Sequence, residues 1–337
     1  MPNGPVRVIV FGKTDLGRTR DHNEDTFLVA DLTQGNASLQ PEVRDHVVGQ
    51  RGSVFMVADG MGGAAAGEVA SAMAADVILT HLKQTWVNDP EATSQKFAFR
   101  LKEAVELANA KIHQHSKDHP EVRGMGTTVT VAGILGHELY LAQVGDSRAY
   151  LIRKGSAIQL TKDQSLMQRL VEAGELTEEE AEQSERRNII LQALGPEARV
   201  KVDLTYQPLS RGDTIVLCSD GLSGQVKKDE IAELVKKNPD LVGLCSRLID
   251  TANSRGGPDN ITAVVARFEG DGLTDPDTSD EVGYQVYPLT EGDSTTEPVP
   301  IYTGSPAPVS RKSQQRSVLL ALVGVVLALL AYFLLNK

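Results

Sequence analysis

The chain has 337 residues and a formal net charge of −11, from 34 basic and 45 acidic side chains. That acidic balance offers no grip on a phosphate backbone and excludes nucleic acid as a partner. Its two cysteines stand in no metal or redox spacing, which excludes a disulfide framework and reads as reduced thiols in a cytosolic compartment.

Residues 6–11 are too short an apolar run for a secretory signal. Residues 14–25 are polar, turn-rich and dense in charge. Within them Arg20 offers a planar fork of donors suited to phosphate, and Glu24 and Asp25 add acceptors. Taken alone, this stretch also reads as a surface loop laced with ion pairs. Helical spacing follows over residues 68–82, carried by Val69, Ala70, Met73, Val77 and Ile78, and again over 97–112. Strand patterns at 128–135, 138–144 and 148–153 are joined by short glycine-containing turns, which predicts an antiparallel meander. Residues 162–188 interrupt the strands with polar helical sequence, in which Gly174 ends one helix and Thr177 to Glu180 form a capping box for the next. Strands return at 200–206, 214–218 and 261–268, with helices at 228–237 and 241–254 between the last two. The pattern predicts an α+β domain over residues 1–268, built of packed sheets covered by helices.

Composition changes after Phe268. Residues 269–310 hold nine acidic side chains and no Lys or Arg, with many Pro, Ser and Thr, which predicts a disordered linker over 269–317. Residues 318–335 carry no charge; at ~1.5 Å rise per residue they reach roughly 27 Å, close to the ~30 Å hydrocarbon thickness of a bilayer. Arg311, Lys312 and Arg316 precede this segment and only Lys337 follows. The positive-inside rule therefore predicts a single-pass transmembrane helix in the cell membrane, with the N-terminal domain in the cytoplasm.

Four aspartates sit where apolar strand runs meet turns. Residues 54–58 run into Asp59-Gly60, 139–144 into Gly145-Asp146 and 214–218 into Ser219-Asp220-Gly221, while Asp259-Asn260 opens the run at 261–266. A lone Asp-Gly is usually only a tight turn. Four carboxylates that converged would repel one another unless hard divalent cations such as Mg²⁺ or Mn²⁺ lay between them.

Six motifs stand in order: Arg20-Asp21-His22-Asn23-Glu24-Asp25; Val57-Ala58-Asp59-Gly60-Met61-Gly62-Gly63; Gly124-Met125-Gly126-Thr127-Thr128; Val144-Gly145-Asp146-Ser147-Arg148; Cys218-Ser219-Asp220-Gly221; and Gly256-Gly257-Pro258-Asp259-Asn260-Ile261-Thr262. Over residues 7 to 268 the chain thereby resembles the bacterial metal-dependent Ser/Thr protein phosphatases of the PPM (protein phosphatase 2C) family. The resemblance implies a four-layer helix/sheet/sheet/helix sandwich with two antiparallel sheets. It implies that Asp59 bridges two tightly bound Mn²⁺ or Mg²⁺ ions, that the Gly60 carbonyl completes one of them and that Asp220 and Asp259 hold the other. Glu24 and Asp25 match acids that hold metal-bound waters, Arg20 matches the phosphate-gripping arginine, and Asp146 with Asp220 matches a third, weaker metal site. The implied activity is hydrolysis of phosphoserine and phosphothreonine in proteins by a metal-activated water, opposing bacterial eukaryotic-like Ser/Thr kinases, themselves among the implied phosphoprotein partners. The alternative is a catalytically weak, phosphopeptide-binding membrane adaptor.

Two positions depart from the family pattern. Met61 stands where some members carry a histidine proposed to protonate the leaving oxygen, which leaves a metal-held water as donor and no side chain. Ser184-Glu185 replaces a His-Pro common in the flap, which the resemblance places at residues 162–188. Arg186 and Arg187 there suit either an acidic phosphopeptide or the neighbouring glutamates. Other phosphatase chemistries are excluded by spacing: the sixth residue after Cys218 is Gly224 and after Cys245 is Thr251, so neither starts a Cys-x5-Arg loop, and neither Gly-Asn-His nor Asp-x-Asp-x-Thr occurs. His46, His81, His113, His115, His119 and His137 show no ligand spacing, and His113 and His115 read as surface residues.

Overall fold

The computed structural model describes residues 4–63, 66–277 and 281–289. One antiparallel sheet contains β1 (Arg7–Asp15), β4 (Arg44–Val47), β9 (Arg148–Arg153), β10 (Ser156–Gln159), β12 (Thr214–Cys218) and β13 (Ile261–Glu269), in the order β10-β9-β12-β13-β1-β4. The other contains β2 (Asp25–Asp31), β3 (Asn36–Ser38), β5 (Ser53–Met61), β7 (Val129–Leu135), β8 (Glu138–Val144) and β11 (Asp203–Pro208), ordered β11-β8-β7-β5-β2-β3, with the short β6 (Gly126–Thr127) on the end of β5.

The period-two alternation of strand side chains explains the layering. In β5, Phe55 and Val57 enter the apolar layer between the sheets, while Val54, Met56 and Ala58 face α1 (Ala66–Thr85) and α2 (Ser94–Asp118). In β12, Ile215 and Leu217 enter the same inter-sheet layer, while Val216 and Cys218 face α6 (Lys228–Lys237) and α7 (Leu241–Ser254). Three apolar layers alternate with the two sheets, giving the helix/sheet/sheet/helix order. Trp86, Phe97 and Tyr140 anchor the α1/α2 side, with ring centroids 5.0 and 5.7 Å apart, and the Trp86 indole donates to the Arg51 carbonyl at 2.8 Å.

Residues 7–11 lie in β1, which pairs along its whole length with β13 from Arg7 opposite Glu269 to Asp15 opposite Ile261. Several expectations are corrected. The expected meander holds only for β7 and β8. After β8 the turn Gly145–Ser147 carries the chain into the other sheet, where β9 lies between β10 and β12. A short glycine turn serves a hairpin and a sheet-crossing corner equally, so the local sequence could not separate them. His113 is half-buried rather than a surface residue, its Nδ1 at 2.7 Å from the Gly195 carbonyl oxygen.

The chain does not leave the fold at Phe268, as the linker expectation required. Leu273 is buried in the inter-sheet layer. Residues 284–287 then run along the outer edge of β11: Tyr206 N–H donates to Gln285 O at 3.0 Å and Tyr287 N–H to Leu204 O at 2.9 Å. The Tyr287 ring meets Tyr140 and Tyr206 edge-on at 5.4 and 5.5 Å. Aromatic burial outweighs the polar composition of this stretch. Among the described residues no helix is long and apolar enough to cross a membrane; the expected transmembrane segment 318–335 and most of the expected linker lie outside the described residues.

Residues Met1–Asp293 form one compact unit. A chain ending at residue 268 would bare the edge of β11 and uncover Tyr140 and Tyr206. Losing the half-buried Tyr287 ring, about 1 kcal/mol, lowers the melting temperature by roughly 2–4 °C relative to a chain ending at 293, and a bare edge promotes association. Calorimetric scans of the two truncations check this; identical melting would show that residues 281–289 contribute nothing.

Candidate active site

Asp25 and Asp59 arrive by strand register. β2 and β5 are antiparallel, and Asp25 lies directly opposite Asp59. Asp59 is inside a strand rather than at its end, since β5 continues through Gly60 to Met61. Its main chain is fully engaged: Thr128 N–H and Thr127 Oγ1–H donate to Asp59 O at 2.8 and 2.9 Å, and Asp59 N–H donates to Thr128 Oγ1 at 3.2 Å. Only the carboxylate remains for a ligand. Behind it the start of α1 packs so closely that a Cβ on Gly60 would overlap the Gly67 carbonyl, and one on Gly67 would come within 2.7 Å of the Glu24 carboxyl carbon. Glycine is required at both places by this approach.

The second sheet brings the partners. Asp220 opens the short helix α5 (Asp220–Ser223) after β12, close enough for its charge to act on Asp59. Asp259 precedes β13 and accepts from Arg20 Nη2 at 2.7 Å. Ser219, fully buried, donates from Oγ to Asp25 Oδ2 at 2.7 Å and accepts from Thr262 N–H at 3.0 Å. Asp146, also buried, occupies the sheet-crossing corner. That corner is held by Thr128 Oγ1 against Ser147 Oγ at 2.7 Å and by Thr130 Oγ1 donating to Ser147 O at 2.7 Å. A hydroxyl chain thus runs from the Asp59 amide through Thr128 to the residue beside Asp146.

The segment 162–188 carries α3 (Leu166–Glu172) and α4 (Glu178–Gln183), the latter with the expected Thr177/Glu180 capping box. Its base is stitched to the corner: Gly145 N–H donates to Gln164 Oε1 at 3.0 Å and Gln164 N–H to Gly145 O at 2.9 Å. Arg148 closes the same base with a bidentate pair to Asp163. Arg186 and Arg187 are exposed, while Glu182 pairs with Lys227 at 3.1 Å.

The carboxylates perturb one another as like charges in a partly dry cleft must. Burial, then repulsion from Asp220 and Asp259, pushes Asp25 up to about 7 against the hydrogen bonds from Thr262 and Ser219. Burial followed by Asp220 and Asp163 pushes Asp146 up to about 8. Asp59 is raised well above the usual range by burial and by Asp25, Asp220, Asp146 and Asp259, and Asp220 is raised by burial and Asp259. Burial also raises Glu24, with Arg20 opposing.

Asp25 Oδ1, Asp146 Oδ1 and Asp220 Oδ1 are buried with no hydrogen-bond partner. Orphaned carboxylate oxygens are costly without a cation or proton, and an all-oxygen donor set of this charge fits hard divalent ions. Among the described residues no three of these groups already enclose a single point at ligand geometry, and Arg20 rests on Asp259. Sequence reasoning assigned no role to Ser219, Thr128, Ser147 or Asn260, although all four lie inside the quoted motifs. Cys218 and Cys245 are free and buried, with their thiols pushed up to about 12 by burial, so neither is a thiolate.

A carboxyl whose folded pKa is raised contributes stability that is fully present below the unfolded value near 3.8 and is lost as pH rises through the folded value. For Asp146 the loss ends near pH 8. Metal-free Asp146→Asn should therefore gain melting temperature relative to the parent as pH goes from 5 to 8.5. A difference that stays flat over that range would refute the buried, repelled state of Asp146.

Comparison with known proteins gives the family. The family description "Protein phosphatase 2C" matches residues 34–265. The chain is 37% identical over 253 residues to the serine/threonine phosphatase stp of Listeria monocytogenes serotype 4b, covering 75% of this chain and 93% of that protein. It is similar to the crystal structure of the Mycobacterium tuberculosis serine/threonine phosphatase PstP/Ppp, with TM-score 0.65 and 36% identity over 78% of this chain and 99% of the other. A PstP catalytic domain in complex with two manganese ions gives TM-score 0.63 and 34% identity over 78% and 99%. The chain belongs to the protein phosphatase 2C family.

Proposed function

We infer that the chain is a metal-dependent enzyme that hydrolyses phosphoserine and phosphothreonine in proteins, opposing Ser/Thr kinases that are also among its phosphoprotein partners. The observation that carries this reading is the cluster of buried carboxylates with orphaned oxygens beside a half-exposed arginine. In this reading Asp59, the Gly60 carbonyl, Asp220 and Asp259 hold two Mn²⁺ or Mg²⁺ ions, Glu24 and Asp25 hold their waters, and Asp146 with Asp220 holds a third, weaker one. The two-manganese complex of the related PstP domain supports manganese. Such ions supply Lewis acidity and lower the pKa of water.

The protein's own groups do the rest. Arg20 presents its fork to the phosphate, exchanging the Asp259 carboxylate for a phosphate oxygen of the same charge. Ser219 fixes the Asp25 carboxyl by one short hydrogen bond. Met61 is exposed at the end of β5 and has no proton to give, so no side chain there serves as acid. Both thiols are buried and protonated, which leaves no cysteine nucleophile.

Asp59→Asn removes the charge shared between both metal positions, a loss of several kcal/mol, so turnover of a phosphothreonine peptide with Mn²⁺ should fall by roughly 1000-fold or more. Arg20→Ala should lower kcat/KM by about 100-fold while Mn²⁺ half-saturation stays within a factor of two or so. Unchanged kcat/KM in either variant rules out its assigned role.

We further propose that residues 318–335 anchor the protein in the cell membrane as a single-pass helix, with the catalytic domain in the cytoplasm. The support is an 18-residue uncharged run preceded by Arg311, Lys312 and Arg316. The full chain should sediment with membranes and resist carbonate extraction, and a chain ending at 293 should not; recovery of both in the soluble fraction would overturn the anchor.

A further inference from the structure

The loop that carries Arg20 joins β1 to β2 without regular structure of its own, over residues 16–24. One side chain outside it makes three of the hydrogen bonds that hold it. Asn260 is buried to 4% exposure and turns both its donors and its carbonyl oxygen on this loop. Its Nδ2 donates to Leu16 O at 3.0 Å and to His22 O at 2.9 Å, and its Oδ1 accepts from Glu24 N–H at 2.8 Å. Those three contacts lie on either side of Arg20, whose guanidinium rests on Asp259, the residue before Asn260. The main chain reinforces the clamp: Arg18 N–H donates to Gly257 O at 2.8 Å, and a Cβ on Gly17 would overlap the Asp259 carbonyl.

We propose that Asn260 is a positioning residue for phosphate capture: it closes the 16–24 loop so that Arg20 is held at the mouth of the carboxylate cluster. It touches neither substrate nor, in the assignment above, metal. The proposal rests on the functional reading given above. Its physical basis is geometric. Without the Asn260 bonds to Leu16, His22 and Glu24 the loop would keep those of Arg18 and Arg20 and spread Arg20 over more placements, and a misplacement of ~1 Å is enough to cost about 100-fold in rate. An amide is suited to the task because it offers two donors and an acceptor in one plane without adding charge beside Asp259.

The test uses the full-length protein in detergent micelles, with inorganic phosphate as the probe of Arg20 placement. Asn260→Ala should weaken competitive inhibition by phosphate about tenfold and lower kcat/KM for a phosphothreonine peptide by roughly 10- to 100-fold. Mn²⁺ half-saturation should change by less than about twofold. In an Arg20→Ala background the same substitution should alter phosphate inhibition by less than about twofold, because both changes remove one function. Asn260→Asp keeps the acceptor for Glu24 N–H and loses both donors. It should also weaken phosphate inhibition, which is its readout because the new carboxylate adjoins Asp259.

Additive effects of Asn260→Ala and Arg20→Ala, or phosphate inhibition unchanged in Asn260→Ala, would overturn the positioning role. So would failure of both Asn260 variants to fold with saturating Mn²⁺, which would assign the residue to the fold alone. If the unmodified enzyme does not turn over the peptide, the functional reading itself fails, and that result is distinct from additivity in an active enzyme.

Discussion

Repulsion among five buried or half-buried acids is the constraint on which the rest of this structure depends. Asp25, Asp59, Asp146, Asp220 and Asp259 are drawn from five separated stretches of chain into one cleft, where burial and mutual charge hold four of them above the ordinary carboxylate range. Left alone, such a cluster costs stability. Arg20 on Asp259 and the Ser219 hydroxyl on Asp25 offset part of that cost.

The two sheets divide the work. Asp25 and Asp59 face each other across β2 and β5, so their spacing is set by an antiparallel register and cannot drift without breaking the ladder. Asp220 and Asp259 come from the ends of β12 and β13 in the other sheet, which are themselves paired from Thr214 opposite Arg267 to Cys218 opposite Ala263. The apolar layer between the sheets, with Phe27, Phe55, Leu217 and Phe268 at its centre, locks one pair of acids against the other. Asp146 sits where the chain passes between the sheets, tied to Asp59 through Thr128 and Ser147 and to the 162–188 segment through Gly145 and Gln164. Core packing, register and charge thus act on the same few atoms.

Much of this was legible in the sequence, and the reasons differ by element. The bounds of β8, β9, β12, α6 and α7 follow from strong periodicity bounded by turn residues, and the structure has them at the same positions. Motif order brought out the acids and Arg20. What stayed hidden depends on pairing at long range. Nothing local to Gly145–Ser147 distinguishes a hairpin from a corner between sheets. The acidic, Thr-rich composition after Phe268 concealed Tyr287, whose aromatic partners are Tyr140 and Tyr206. The role of Asn260 was invisible for the same reason, since its three partners lie 236 to 244 residues earlier in the chain.

We propose that this cluster is a divalent-cation site kept partly protonated until metal arrives. Proton release on binding measures it most directly, through isothermal titration of Mn²⁺ into the metal-free protein at pH 7 in two buffers of different ionisation enthalpy. Because ligands must shed protons to coordinate, the account predicts release of at least about one proton per protein, and loss of both the binding and the release in Asp59→Asn. Tight binding with no proton released, or release undiminished in Asp59→Asn, would contradict it.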